Sequence, residues 1–193
     1  MKTFELKGTK RAALGKKATK ADRAAGNIPC VLYGNGQNID FTVTTEDVRK
    51  LVYTPETYLV NLDIDGEQHL AVVQETQWAP VKELLFHIDF LAVTADKPVQ
   101  VSLPVYLTGH AAGVKAGGKL VQNARKLKVK GLYTNIPENI TVDVTTLGLG
   151  KRYQVEDIKI ENLQMMNPKD MLVAQVRATR NSGAAAAAAA TEE

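Results

Sequence analysis

The sequence predicts a mainly β protein with short helices: a β-barrel, or strongly curved sheet, followed by a second, nearly all-β domain. Three observations predict it. Alternating apolar and polar runs outnumber helical ones, and each helical run is short and lies between two strands. Strong punctuators such as Gly26, Pro29, Pro55 and Asp65-Gly66 cut the first half into strand-length pieces. After Pro98 the composition changes, with a Gly- and Ala-rich stretch and then further strand-like runs.

Residues 2–8 alternate as a first strand, with Phe4 and Leu6 on one face. Between Gly15 and Gly26 lie ten residues without a helix breaker, Lys16 to Ala25. Lys16, Lys20 and Arg23 fall at i, i+4 and i+7, so a helix there carries a cationic stripe. Ala18, Ala21 and Ala25 give it a small, flat face on the other side. Gly26 sits where a left-handed cap belongs. Pro29 stops the helix and starts an extended run, Cys30 to Tyr33.

A strand follows the turn-prone Gly34-Asn35-Gly36, from near Gln37 through Val43. Thr44 suits the N-cap of a short helix carrying Val48, Leu51 and Val52, with Glu46 and Asp47 in its first turn and Pro55 beyond its end. Tyr58–Ile64 and Gln68–Gln77 read as strands joined by Asp65-Gly66, a strong type I′ hairpin signal. Phe86–Val93 is one more strand and closes a first domain of residues 1–93. Thr94–Pro98 reads as a linker. In the second domain, 99–179, Val99–Leu107, Lys126–Lys130, Ile140–Val144 and Met171–Ala178 are strand-like. Gly109–Lys119 has no hydrophobic period and reads as a flexible surface loop. Residues 180–193, with seven consecutive alanines, are expected to form a disordered tail.

The net charge of +3 says little, but its distribution says more. Residues 1–30 hold eight lysines and arginines against Glu5 and Asp22, a net +6, which leaves −3 for the remainder. Such asymmetry points to a polyanion partner at one end, and a face of long cations suits a phosphate backbone. Cys30 is the only cysteine, so no internal disulfide is possible, which fits a reducing cytoplasm. No apolar run approaches the ~20 residues of a membrane span, and the N-terminus lacks a signal-peptide core. A cytosolic protein is expected, with no membrane partner and no small-molecule substrate.

Catalytic signatures are sparse. Gly113-Val-Lys-Ala-Gly-Gly118-Lys119 matches seven positions of a phosphate-binding loop, but Leu120 stands where Ser or Thr must hold magnesium. His69, His87 and His110 show no metal-ligand spacing, so neither metal nor cofactor is expected. His87-Ile-Asp-Phe90 is more informative. In a strand, Ile88 and Phe90 face the core while His87 and Asp89 lie side by side on the other face. An imidazole and a carboxylate held so can donate to and accept from base edges or 2′-hydroxyls.

Several separated features resemble one family. They are Lys10-Arg11 to Gly15-Lys16, Arg23 before Pro29, Tyr33-Gly34, Gln74 to Pro80, and His87-Ile-Asp-Phe90. In the second half, Gly109 with Ala112 to Gly118, and Asn135-Ile-Pro-Glu138, add to them. The chain resembles the bacterial large-subunit ribosomal protein numbered twenty-five, in its long two-domain form, the general stress protein CTC type. The resemblance implies a first domain of β-barrel type that binds 5S ribosomal RNA in the central protuberance, beside neighbouring large-subunit components. It implies phosphate contacts from Arg11, Lys16, Lys20 and Arg23, and shape- or base-reading contacts from Tyr33, Gln74, His87 and Asp89. Two departures stand out: Asp22 and Ala24 flank Arg23, and Trp78-Ala79 precedes Pro80. Both suggest fewer phosphate contacts than in a typical member. A stress-related protein-binding adaptor and a nucleotide-binding enzyme using Gly113–Lys119 are the alternatives.

Overall fold

Alternation in the first half becomes a closed barrel. The computed structural model describes residues 1–34, 36–81, 84–158, 160 and 162–179. The expected tail therefore lies outside the described residues. Six strands form the barrel: β1 (Lys2–Lys10), β2 (Asn27–Gly34), β3 (Gln37–Thr44), β4 (Tyr58–Ile64), β5 (Glu67–Trp78) and β6 (Leu85–Ala92). They run β1-β3-β2-β6-β5-β4 and close on β1. The β1–β4 and β2–β6 pairs are parallel and the others antiparallel. Closure removes the free edges that an open sheet of this size would present.

Two short helices interrupt the strands, α1 (Lys16–Ala24) and α2 (Thr45–Val52). For α2 the expected chemistry is present. The Thr44 side chain accepts from the Asp47 backbone N–H, and Val48 and Leu51 are buried. A cap of this kind contributes ~1 kcal/mol. Asp65 and Gly66 both have positive φ, 51° and 93°, as a type I′ turn requires. Inside the barrel the Phe41 and Phe90 rings lie 5.6 Å apart, surrounded by Leu6, Val60, Leu62 and Ile88. Cys30 is 1% exposed and packs as a small apolar residue. Burial pushes its thiol far above the usual range.

The chain divides into two compact units, Met1–Val101 with Gly131–Glu138, and Ser102–Lys130 with Asn139–Glu193. The segment Gly131–Glu138 thus belongs with the barrel. There Ile136 is buried, and its carbonyl accepts from the N-terminal ammonium at 3.4 Å.

The second unit is built from β7 (Val99–Thr108), α3 (Ala112–Lys115), β8 (Lys119–Gln122), β9 (Lys126–Gly131), β10 (Ile140–Asp143), β11 (Arg152–Gln154), β12 (Gln164–Met165) and β13 (Leu172–Arg177). They form a four-stranded sheet, β10-β7-β9-β12, and a three-stranded one, β11-β13-β8. Leu103, Leu127, Val129, Val173 and Ala174 are 0% exposed between them.

The stretch Gly109–Lys119, expected to be a flexible loop, is instead packed. A Cβ on Gly113 would come within 2.6 Å of the Gly148 and Leu149 backbone, and one on Gly118 within 2.7 Å of the Gly113 carbonyl. At Gly113 and Gly118 the reason for glycine is the close approach of backbone; Gly109 and Gly117 instead have positive φ, 85° and 86°.

Close packing also explains Gly8 in β1. A Cβ there would stand 2.6 Å from the Phe41 ring, which is fully buried and cannot retreat. Gly8→Ala is expected to lower stability by about 1–3 kcal/mol, read from the urea midpoint. Cys30 should react with a thiol reagent only through unfolding, so its labelling should accelerate in the variant. An unchanged midpoint would show that the barrel gives way around position 8.

Candidate nucleic-acid interface

A helix that buries nothing needs another means of attachment. No residue of α1 is buried. The flat alanine face expected from the sequence does not hold it, since Ala21 and Ala25 are exposed and only Ala18 is half-buried. Two arginines hold it instead. Arg11 follows β1, and its backbone N–H donates to the Asp40 carbonyl at 3.0 Å. Its side chain turns back onto α1. Nε and Nη2 both reach Asp22 Oδ2, at 3.1 and 3.0 Å, and Nη2 also donates to Thr19 Oγ1 at 3.0 Å. The Arg11 side chain is only 9% exposed.

Arg23, the residue after Asp22, makes the second attachment. Its Nε and Nη2 donate to the Phe86 carbonyl at 3.2 and 3.0 Å, and its guanidinium lies 4.8 Å from the Phe86 ring centre. Phe86 is skipped in the β5–β6 register, where Gln77 pairs with His87 and Trp78 with Leu85. The strand irregularity and the arginine that uses it occur at one residue. All three residues of the expected cationic stripe, Lys16, Lys20 and Arg23, are exposed, but the Arg23 guanidinium is bonded to β6. Gly26 takes the left-handed conformation at φ 82°, which turns the chain directly into β2.

The strand beyond Phe86 carries the expected pair. Ile88 and Phe90 are 0% exposed, and His87 and Asp89 lie on the outer face, each one quarter exposed. His87 Nδ1 is 2.6 Å from Asp89 Oδ1. In the tautomer that donates from Nδ1 to Asp89, Nε2 is left to accept a hydrogen bond. Asp89 Oδ2 is the second acceptor of the pair.

Tyr33 and Gln74 complete the expected set. Tyr33, half-buried on β2, pairs with Leu91 of β6. Burial pushes its phenol up, and the Asp89 and Glu75 carboxylates add to this, so it stays a neutral donor. Gln74 is exposed at the second register shift of β5, between Val73 and Glu75. That shift changes which side chains face outward. Val73, opposite the inward Phe90, packs against the core, and after the extra residue Glu75 lies opposite Asp89 and Gln77 opposite His87. The sequence alternation does not reveal Glu75 or Gln77 as members of this surface, because only the bulge puts them there.

The surface thus has two characters. Exposed lysines on α1 suit phosphates. The Asp89–Glu75 side has two carboxylates on opposed residues, which repel phosphate and suit donors on bases and sugars.

The Gly113–Lys119 stretch has no such character. A phosphate cradle needs unpaired backbone N–H groups. Here each N–H from Gly113 to Gly118 donates within the chain, to Leu147, Ala111, Ala111, Ala112, Val114 and Gly113 in order. The helix here, α3, lasts four residues in all and contains Gly113.

Two family models match the chain. The Ribosomal L25p family model matches residues 6–90, and the model of the ribosomal protein TL5 C-terminal domain matches 98–180. A protein of Porphyromonas gingivalis named large ribosomal subunit protein bL25 is 50% identical over 188 residues, covering 96% of this chain and 98% of that protein. The chain belongs to the ribosomal L25p family. It has the family's long, two-domain form. A bL25 of Azobacteroides pseudotrichonymphae is 49% identical over 183 residues, 94% of this chain and 97% of that protein. One of Bacteroides thetaiotaomicron is 46% identical over 194 residues, 98% and 99% of the two chains. The protein is a ribosomal protein of the bacterial cytoplasm and not an enzyme.

The Arg11 tether is testable without RNA. Arg11→Met should leave the barrel folded but raise hydrogen exchange across residues 16–24, for a local loss of about 1.5–3 kcal/mol, the range for hydrogen bonds to a charged group. Asp22→Asn should give much of the same effect, and the double variant little more. Unchanged exchange would mean that α1 is held by something other than this pair.

Proposed function

We infer that the protein is a structural constituent of the large ribosomal subunit and binds 5S ribosomal RNA, in the central protuberance, through the outer face of its barrel. The observation that carries the RNA reading is the bond from Arg23 to the Phe86 carbonyl. It joins the lysine-bearing helix to the strand whose next outward residues are His87 and Asp89. Backbone neutralisation and base reading are thereby fixed in one rigid piece, the division of labour that RNA recognition needs. The names of the relatives support the large subunit. The family resemblance supports 5S RNA and its place.

Roles follow from placement. Lys16 and Lys20 contact phosphates. Arg11 and Arg23 spend their guanidinium donors on Asp22, Thr19 and Phe86, so they act mainly by holding the helix that carries those lysines. His87 and Asp89 present acceptors already oriented by their mutual bond. Tyr33 offers a phenol donor beside them, and Gln74 an amide at the bulge. This surface is preorganised, so little ordering entropy is lost on binding.

Binding to 5S RNA should weaken with salt, and Lys20→Ala should flatten the slope of log K against log salt by about 0.7–0.9. An unchanged slope would place Lys20 in solvent. Asp89→Asn should behave differently. Asparagine turns one acceptor into a donor, and a mispaired group at the contact costs about 1–3 kcal/mol. The loss should be larger for 5S RNA than for an unrelated structured RNA, whereas Lys16→Ala should weaken both about equally. Fluorescence anisotropy with both RNAs at one salt concentration separates the cases. Equal behaviour of Asp89→Asn and the parent on both RNAs would make the strand pair purely structural.

A further inference from the structure

Charge is distributed in three blocks rather than two. Residues 31–98 hold four lysines and arginines against eleven carboxylates, a net −7, and residues 99–179 hold eleven against six, a net +5. The second unit is therefore cationic in its own right. Three of its cations are set in line. In β9, Lys126, Lys128 and Lys130 alternate with Leu127, Val129 and Gly131, all buried, while the lysines are exposed. Strand geometry spaces alternate residues by roughly 6.6 Å. The buried leucine and valine fix which way the lysines point.

Nothing on the neighbouring strands offsets the row. β9 lies between β7 and β12. Neither contains a carboxylate: β7 reads Val-Gln-Val-Ser-Leu-Pro-Val-Tyr-Leu-Thr and β12 is Gln164-Met165. Gln164 pairs with Lys130, and Asn167 accepts from the Lys128 backbone N–H. Among the described residues no ion pair involves the three ammonium groups. Tyr106, on the neighbouring strand β7, is 42% exposed.

We propose that this β9 face docks a second segment of ribosomal RNA, by its phosphate backbone, separate from the segment held by the barrel. A row of lysines on a rigid strand, in no ion pair among the described residues, matches a linear polyanion. It does not match a protein partner, because lysine is depleted from the core of protein interfaces. The exposed tyrosine adds a ring on which an unpaired base can stack. Two cationic blocks separated by an acidic one fit two RNA segments rather than one. The proposal rests on the reading of the protein as an RNA-binding ribosomal constituent.

The test uses the full chain, as the parent, the triple variant K126Q/K128Q/K130Q and the charge-preserving K126R/K128R/K130R. Each is titrated against free 5S RNA and against large subunits assembled without this protein, with hydroxyl-radical footprinting of all subunit RNAs. The expected result is that the glutamine variant binds free 5S RNA as the parent does. On subunits its salt slope should flatten by about 2–3, and one footprint outside 5S RNA should be lost. The arginine variant should restore both. If the glutamine variant does not fold, Lys128→Gln alone should flatten the slope by about 0.7–0.9. Three results would overturn the proposal: unchanged subunit binding, an equal loss on free 5S RNA, or weaker subunit binding with every RNA footprint intact, which would indicate a protein partner. If even the parent ignores free 5S RNA while the subunit effect appears, the barrel's assignment fails and this one stands.

Discussion

The candidate interface depends on how a nine-residue helix with no buried side chain is kept in place. An isolated helix of that length is not stable in water, and α1 has no apolar face to change that. Its hold is polar and lies in its second half: Arg11 on Thr19 and Asp22, and the next residue, Arg23, on the Phe86 carbonyl. Arg11 is nearly enclosed, so its bonds are little weakened by water or salt. The consequence is a division among cations of one short stretch. The arginines, whose forked donors suit fixed geometry, do the holding, and the lysines remain available to a polyanion.

Strand irregularity matters as much as charge. The barrel alone would leave a regular outer face. The shift at Gln74 moves Glu75 and Gln77 outward to lie opposite Asp89 and His87, and the shift at Phe86 coincides with the carbonyl that Arg23 uses. Both lie on the β5–β6 pair, so one pair of strands carries Gln74, His87 and Asp89 as well as the attachment of the helix. Local departures from ladder geometry commonly re-aim side chains in this way.

Much of the first half was legible in the sequence. Period-two alternation placed Ile88 and Phe90 inside and His87 and Asp89 outside, and Asp65-Gly66 announced its hairpin. The two bulges were not legible, because a register shift depends on the partner strand. Nor was the inward turn of Arg11, since a cation in a basic run looks like its neighbours until Asp22 is brought beside it. In the second unit, β8, β11 and β12 are two to four residues long, too short to show a period. The glycines of Gly109–Lys119 suggested a loose loop for a similar reason: close backbone packing and flexibility ask for the same residue.

The central claim is that α1 and the outer face of β2, β6 and β5 form one RNA-binding surface. Amide chemical-shift changes on titrating 5S RNA into labelled protein test it most directly. The account predicts that the largest changes fall together on residues 16–24, Tyr33, Gln74 and 87–89, saturating with a single affinity. Large changes confined to other strands, or two separate affinities for the helix and the strand pair, would contradict it.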